Sequence, residues 1–323
     1  MNDQKIKVPV CRIYPDQIVL YNIYEGNFNR SERQIKTEEN LTRGQYNGFM
    51  SPKTKSKVKK YLSTWINSVE KIKESKHYPS LDKKPNLTFV TLTLPSEQYH
   101  DDNEIKRKCL TPYIETLKRK YNVWEYFWRA EAQKNGNIHF HLIIDSYIHY
   151  LDIRNEWNKC VEKLGYIDSF FLRHGHRDPN STDIHSLRKV RNIEAYVIKY
   201  CCKSDGYRKI DGRIHGCSDE LRKLMPYECL VDSEINDLVN KAIGEVGTKV
   251  FGDDNYTVVL CDTVSLMNKY SPKTAKSLNV NYITIALGLY TKKTEPPPQQ
   301  HTGIIRELIN KPKKLEQLKL ELC

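Results

Sequence analysis

Apolar and polar positions alternate along this chain in rhythms that change several times. Residues 1–50 interleave short apolar pieces with Tyr14, Tyr21, Tyr24 and Tyr46 and follow no assignable period. After Ser51-Pro52, Tyr61, Leu62, Trp65, Ile66 and Val69 recur at helical spacing, and the helix they predict opens with the basic run Lys53 to Lys60. Leu87 to Leu94, β-branched and closed by Pro95, predicts a central strand. Residues 103–121 read as an amphipathic helix. Strands at about 123–132 and 138–145 flank the turn signal Lys134-Asn135-Gly136-Asn137. A helix near 150–164, strands near 166–173 and 182–187, and a helix from Asn192 to Lys203 complete the set. The order β-α-β-β-α-β-(β)-α predicts an α+β fold with an antiparallel sheet and helices on one side. Further on, 256–261 and 281–288 look strand-like, and Glu295 to Gln300 breaks the chain before a charged helical tail. The expected regions are therefore an N-terminal extension (1–79), a central domain (80–205), a mixed α/β region of unassigned role (206–295) and the tail (296–323).

The hairpin carries the first chemistry. In a strand, residues two apart share a face, so His139 and His141 project together while Phe140, Leu142 and Ile144 face the core. Two adjacent imidazoles are a natural pair of nitrogen ligands for a divalent metal. On the preceding strand Trp124, Tyr126, Trp128 and Ala130 form one face; Glu125, Arg129, Glu131 and Gln133 form the other. A three-residue loop at Asn135-Gly136-Asn137 sets Glu131 opposite His141 and Gln133 opposite His139. A two-residue loop would instead bury Glu131 opposite Phe140, at a cost of several kcal/mol for an unpaired carboxylate. The longer loop is preferred, and Glu131 becomes the third candidate ligand. Arg129 and Gln133 lie beside it as candidate DNA contacts, Arg129 to phosphate. A second pair, His174-Gly175-His176, sits in a Gly/Arg/Asp-rich loop without alternating flanks and reads as surface.

The second constellation is Tyr196-Val197-Ile198-Lys199-Tyr200-Cys201-Cys202-Lys203. On a helix Tyr196, Lys199, Tyr200 and Lys203 form one stripe, while Ile193, Val197, Ile198 and Cys201 occupy the opposite arc and can pack on a sheet. A tyrosine can attack a phosphodiester to give a covalent phosphotyrosine that conserves the bond for rejoining. Its phenol, with an ordinary pKa of about 10, needs nearby positive charge, which Lys199 and Lys203 supply. A metal at His139, His141 and Glu131 would polarise the scissile phosphate.

Charge then narrows the partner. Lys+Arg number 52 against 40 Asp+Glu, a formal net charge of +12, which points to a polyanion. Lys53, Lys55, Lys57, Lys59 and Lys60 are candidate contacts to a nucleic-acid backbone. The nine cysteines are scattered without a CxxC, so neither a disulfide framework nor a thiolate zinc site is expected, and a reducing cytosol is. No run approaches the ~18 apolar residues of a membrane span, and Met1 to Lys5 begins no secretory signal. No G-x-x-x-x-G-K-[ST] occurs, so no nucleotide cofactor is expected.

Taken together, these motifs resemble those of a known family. His139-Phe140-His141 resembles the paired-histidine motif of HUH-superfamily rolling-circle replication initiators. Phe89-Val90-Thr91-Leu92-Thr93 resembles their first-strand motif, and Tyr196 to Lys203 resembles the paired tyrosines of phiX-like phage and microvirus initiators. The resemblance spans roughly 87–205 and implies a ferredoxin-like HUH endonuclease domain with a central five-stranded antiparallel sheet. It implies Mg2+ or Mn2+ at the histidines, and nicking of single-stranded or supercoiled origin DNA in the cytoplasm of a bacterial host. One tyrosine would take the 5′-phosphate, leaving a 3′-OH to prime host polymerase while a host helicase opens the duplex; the second would cleave the regenerated site and release a circle. Plasmid mobilisation relaxases and two-tyrosine single-strand transposases share this chemistry. A metal-dependent hydrolase without a covalent intermediate and a DNA-binding regulator with structural histidines are the readings of other classes.

Overall fold

The alternating runs of the sequence build two sheets. The structure, a computed structural model, describes residues 6–14, 16–25, 49–186, 197, 199–201, 207–253 and 256–292. In chain order the elements are β1 (Ile6–Tyr14), β2 (Gln17–Glu25), α1 (Pro52–Lys73), β3 (Thr88–Leu92), α2 (Asp102–Ile105), α3 (Thr111–Tyr121), β4 (Tyr126–Ala132) and β5 (Ile138–Ile144). They continue with α4 (Tyr150–Glu162), α5 (Tyr166–His174), β6 (Thr182–Ser186), β7 (His215–Cys217), α6 (Asp219–Arg222) and β8 (Tyr227–Leu230). The last are α7 (Ser233–Gly244), β9 (Lys249–Gly252), β10 (Tyr256–Leu260), α8 (Thr263–Tyr270) and α9 (Pro272–Tyr290). The fold is α+β, and the chain divides into two compact units, 46–224 with 286–292, and 1–45 with 225–285 and 293–323.

The first unit holds the antiparallel sheet β6-β3-β5-β4-β7, a five-stranded arrangement consistent with a ferredoxin-like domain carrying extensions. Its even-numbered face is apolar. Val90, Leu92, Trp128, Ala130, Phe140 and Leu142 are buried there, and Trp157 of α4 meets Phe140 edge-on with ring centroids 6.0 Å apart. Trp157 Nε1 also donates to the Thr93 carbonyl at 2.7 Å, tying α4 to the end of β3. The odd-numbered face is split. Phe89, Ile143 and Phe127 make an apolar band, and beyond it come Thr91, His141 and Arg129, then His139 and Glu131. The apolar band needs cover, and α1 supplies it through Tyr61, 6.0 Å from the Phe127 ring. Helices therefore lie on both faces, not on one as the element order suggested, because Phe127 interrupts the polar parity of β4.

Two further sequence expectations are corrected. Residues 166–173 form helix α5 and not a strand. Glycines with positive φ at both ends, Gly165 (φ 78) and Gly175 (φ 76), bracket one short helix, and only Tyr166 and Ile167 are buried in it. Residues 281–288 lie inside α9; the buried positions Leu278, Tyr282, Ile285, Ala286 and Leu289 follow a helical spacing that the β-branched composition disguised. Helix 103–121 is present but passes through a π-helical turn, Lys106–Leu110, just before Pro112. A proline lacks the N–H that a regular helix would bond at that point.

The second unit contains the antiparallel sheet β8-β1-β2-β10-β9. It joins the unassigned N-terminal segment to strands some two hundred residues later, Cys11 facing Cys229 and Val19 facing Val258. Among the described residues no helix is long and apolar enough to cross a membrane.

The β4–β7 pairing rests on a close approach. Gly216 faces Trp128, and a Cβ at 216 would lie 2.6 Å from the indole Nε1. Gly216→Ala is expected to lower stability by about 1–3 kcal/mol, because the buried indole has no room to retreat. Thermal unfolding of the variant checks this; an unchanged Tm would contradict the packing.

Candidate metal centre

The turn between β4 and β5 fixes the register of the site. Gln133 N–H donates to the Asn137 carbonyl at 2.8 Å, closing a three-residue loop of Lys134, Asn135 and Gly136. Gly136 takes the left-handed position at its end, φ 86. That position favours glycine, so the loop starts one residue earlier than the sequence expectation placed it. The register moves by two residues: Glu131 faces His139 and Arg129 faces His141. A shift of two preserves every face. Asn137, freed from the loop, anchors the turn instead: its Oδ1 accepts from Gln98 N–H at 2.9 Å and its Nδ2 donates to the Ser96 carbonyl at 2.8 Å.

On this register Glu131, His139 and His141 converge. Nε2 of each histidine lies 2.9 Å from Glu131 Oε1, and the two Nε2 atoms are 3.2 Å apart. This is the metal-capable group of three found among the described residues. Cis ligands of an octahedron with bonds of about 2.1 Å stand roughly 3.0 Å apart, so the separations suit a six-coordinate divalent cation with half its positions open. Glu131 Oε2 is buried without a hydrogen-bond partner, a state a bound cation would relieve. The cluster fits a divalent metal.

The surroundings prepare these ligands. Thr91 Oγ1 lies 3.3 Å from His141 Nδ1. Without a cation the Nε2 proton can serve Glu131; with one bound, the proton would sit on Nδ1, donate to that hydroxyl and leave the Nε2 lone pair for the metal. Phe89 stacks on His141 with centroids 5.4 Å apart at 28°, fixing the ring plane. Burial pushes His141 below the ordinary histidine value, with His139 and Arg129 acting in the same direction and Glu131 against it. Burial alone would raise the Glu131 carboxyl, but the hydrogen bonds from His139 and His141 outweigh it and hold the acid well below the usual carboxylate range. A neutral His141 and an ionised Glu131 are the ligand states a metal requires of them.

Tyr200 reaches the same place from the helical residues 199–201. Its ring lies 5.7 Å from His141 and 5.6 Å from Phe89, with the Lys199 ammonium 5.7 Å from its centroid. Tyr196 and Lys203 lie outside the described residues, as does most of the predicted 192–203 helix. Arg129 is 5 % exposed, and its Nε and Nη1 have no partner. Gln133 sits at the mouth of a cavity bordering Glu131 and His139. Lys53, Lys55, Lys57, Lys59 and Lys60 occupy the first turns of α1, in the same unit as the metal cluster, with Lys53 and Lys57 fully exposed.

One residue of this face carried no local signal. His215 faces Arg129 across the β4–β7 pairing, so a continuous row runs Asp183, Thr91, His141, Arg129, His215 across the sheet. Strand β7 is three residues long and pairs with a segment far away in the chain, which no periodicity reveals. Burial, then the charges of Arg213, Arg129, Arg222 on α6 and Lys57 on α1, push its imidazole down to about 4. His215 is thus neutral at pH 7 and adds no second positive charge beside Arg129. Because folding lowers this pKa, protonation opposes folding, and its contribution to stability falls as pH drops from about 6.5 toward 4. In an NMR titration the His215 ring is expected to titrate near 4, and Arg129→Gln is expected to move that midpoint upward. A midpoint at the ordinary histidine value in the unaltered protein would contradict the placement.

Residues 87–205 match the family model of the ORF2-type Replication-associated protein. No curated protein and no solved structure matches the chain. The matched segment begins at β3 and ends beyond Tyr200, so it contains the histidine hairpin and the described part of the tyrosine helix. The match supports a rolling-circle replication initiator family for this segment, which is less than half of the chain.

Proposed function

We propose that this protein initiates replication by nicking single-stranded origin DNA through a 5′-phosphotyrosine, leaving a 3′-OH primer, and later rejoins the strand to release a circle. The observation that carries the proposal is the convergence of three ligand atoms within 3.2 Å of one another beside the ring of Tyr200. A metal, a phosphate and a phenol could meet there.

Glu131, His139 and His141 would hold the cation, Mg2+ or Mn2+, which as a Lewis acid draws electron density from the scissile phosphate. Two imidazole nitrogens favour Mn2+ over the harder Mg2+. Arg129 stands next in the row with unpaired guanidinium nitrogens and takes part in none of the ion pairs among the described residues. A buried arginine without a carboxylate is suited to a phosphate, which it can grip with two parallel hydrogen bonds. His215, neutral beside it, leaves that charge undivided. Lys199 stands over the Tyr200 ring, its ammonium 5.7 Å from the centroid, as a cation beside the nucleophile. The Tyr200 oxygen then bonds to phosphorus as the P–O3′ bond breaks, and the proton that the phenol gives up is balanced by the one the departing O3′ takes to become the primer hydroxyl. In the reverse step that hydroxyl, or another strand's, attacks the phosphotyrosine and returns the phenol. Tyr196, four residues before Tyr200 in the sequence, supplies the second nucleophile for the closing cleavage. The lysines of α1 track the backbone, and host helicase and polymerase supply strand opening and synthesis.

The full chain with Mn2+ and single-stranded oligonucleotides from its own replicon's origin region should form SDS-resistant protein–DNA adducts. Tyr196→Phe with Tyr200→Phe should reduce cleavage on the order of 10³-fold or more, as loss of a nucleophile does. Cleavage that persists in the double variant would sink the tyrosine mechanism.

A further inference from the structure

A cavity of about 490 Å3 opens against one side of the metal cluster, within the roughly 300–1,000 Å3 range of small-ligand pockets. Glu131 and His139 form one wall, Gln133, Lys134 and Asn135 the turn side, and Tyr207 the remaining wall. The Tyr207 ring is 64 % exposed. A solitary exposed tyrosine is ordinary, but this one is held in place by its neighbour. Arg208 Nη1 and Nη2 grip the carboxylate of Asp102 at 2.7 and 2.6 Å, and its Nε donates to the Gly136 carbonyl at 2.7 Å. Asp102 is itself buried, and its second oxygen also accepts from the Asp211 N–H at 3.0 Å. Lys106 Nζ donates to the Asp211 and Arg213 carbonyls. Segment 207–213 is thereby fastened to the β4–β5 turn and to α2, with the Tyr207 ring left out over the cavity.

We propose that Tyr207 is a stacking platform for the nucleobase next to the scissile phosphate, with the cavity between it and the hairpin as that base's pocket. The proposal rests on the nicking function proposed above. A nucleobase fits the chemistry of the walls: a flat aromatic face to stack on, the amide of Gln133 to meet its polar edge, and Lys134 to meet the adjoining phosphate. Only a single strand can present a base this way, because a paired base is stacked on both faces within the duplex. The fastening by Arg208 means that little freedom remains to be lost when the base binds.

The test compares binding of a short oligothymidylate with that of an abasic deoxyribose-phosphate chain of equal length, both to the full chain with Mn2+. The ratio of the two affinities isolates what the bases contribute. Tyr207→Ala should shrink that ratio by roughly 5- to 150-fold, the range for loss of one base–aromatic stack, while Tyr207→Trp retains it. Mn2+ affinity should be the same in all three proteins. An unchanged ratio in Tyr207→Ala overturns the platform and leaves the nicking function standing. A full chain that binds oligothymidylate no better than the abasic strand also overturns the platform. If it binds neither, the nicking function fails with it.

Discussion

The antiparallel pairing of β4 with β5 is the constraint on which the rest of the site depends. A strand's side chains alternate with a period of two, so the pairing must place Glu131, His139 and His141 on one face or destroy the cluster entirely. The apolar partners on the other face, Trp128, Ala130, Phe140 and Leu142, make any odd slip costly, since it would exchange a buried hydrophobic set for charges. The turn then selects among the even registers through Gly136, the residue able to take the left-handed position without strain. Burial on one face thus specifies chemistry on the other.

The same face shows how a sheet can divide into an apolar end and a charged one. Its apolar end, at Phe89, Ile143 and Phe127, is closed by α1 and by the Tyr200 ring. At its polar end the cations gather: Arg129 within the row, and Arg213, Arg222 and Lys57 near His215. The single acid among the converging ligands, Glu131, is committed to the two histidines. Of these cations Arg222 is paired with Asp219, whereas the buried Arg129 has no carboxylate among the ion pairs of the described residues and is the one an anion would complete. The mechanism proposed for Tyr200 needs both halves of this arrangement, a rigid apolar seat for the ring and an electropositive place for the phosphate.

Much of this was legible in the sequence because it followed from parity. The strand at Thr88–Leu92 followed from its β-branched run closed by Pro95, and the histidine hairpin and the choice of Glu131 as third ligand from period-two alternation beside a buried face. The turn's position could also have been read, had the left-handed requirement been applied to Gly136 and not to the loop length alone. What sequence reasoning missed is of a different kind. The strand-like stretch of α9 carries β-branched and aromatic residues whose burial follows helical spacing, so propensity and packing disagreed and packing prevailed. Helix α5 is set by the glycines at its two ends and buries only Tyr166 and Ile167. His215 and Tyr207 lie on short segments that gain meaning only through distant partners, β4 for the first and Asp102 through Arg208 for the second. The N-terminal hairpin was opaque for the same reason, since its partners β8 and β10 lie far along the chain.

The most direct measurement is pulsed electron paramagnetic resonance of the full chain loaded with Mn2+ and labelled with 15N in its histidine imidazoles. Two coupled histidine nitrogens are predicted, reduced to one in either His139→Gln or His141→Gln. Bound Mn2+ that shows no histidine coupling, or the same coupling in both variants, would contradict the metal centre at the β4–β5 hairpin.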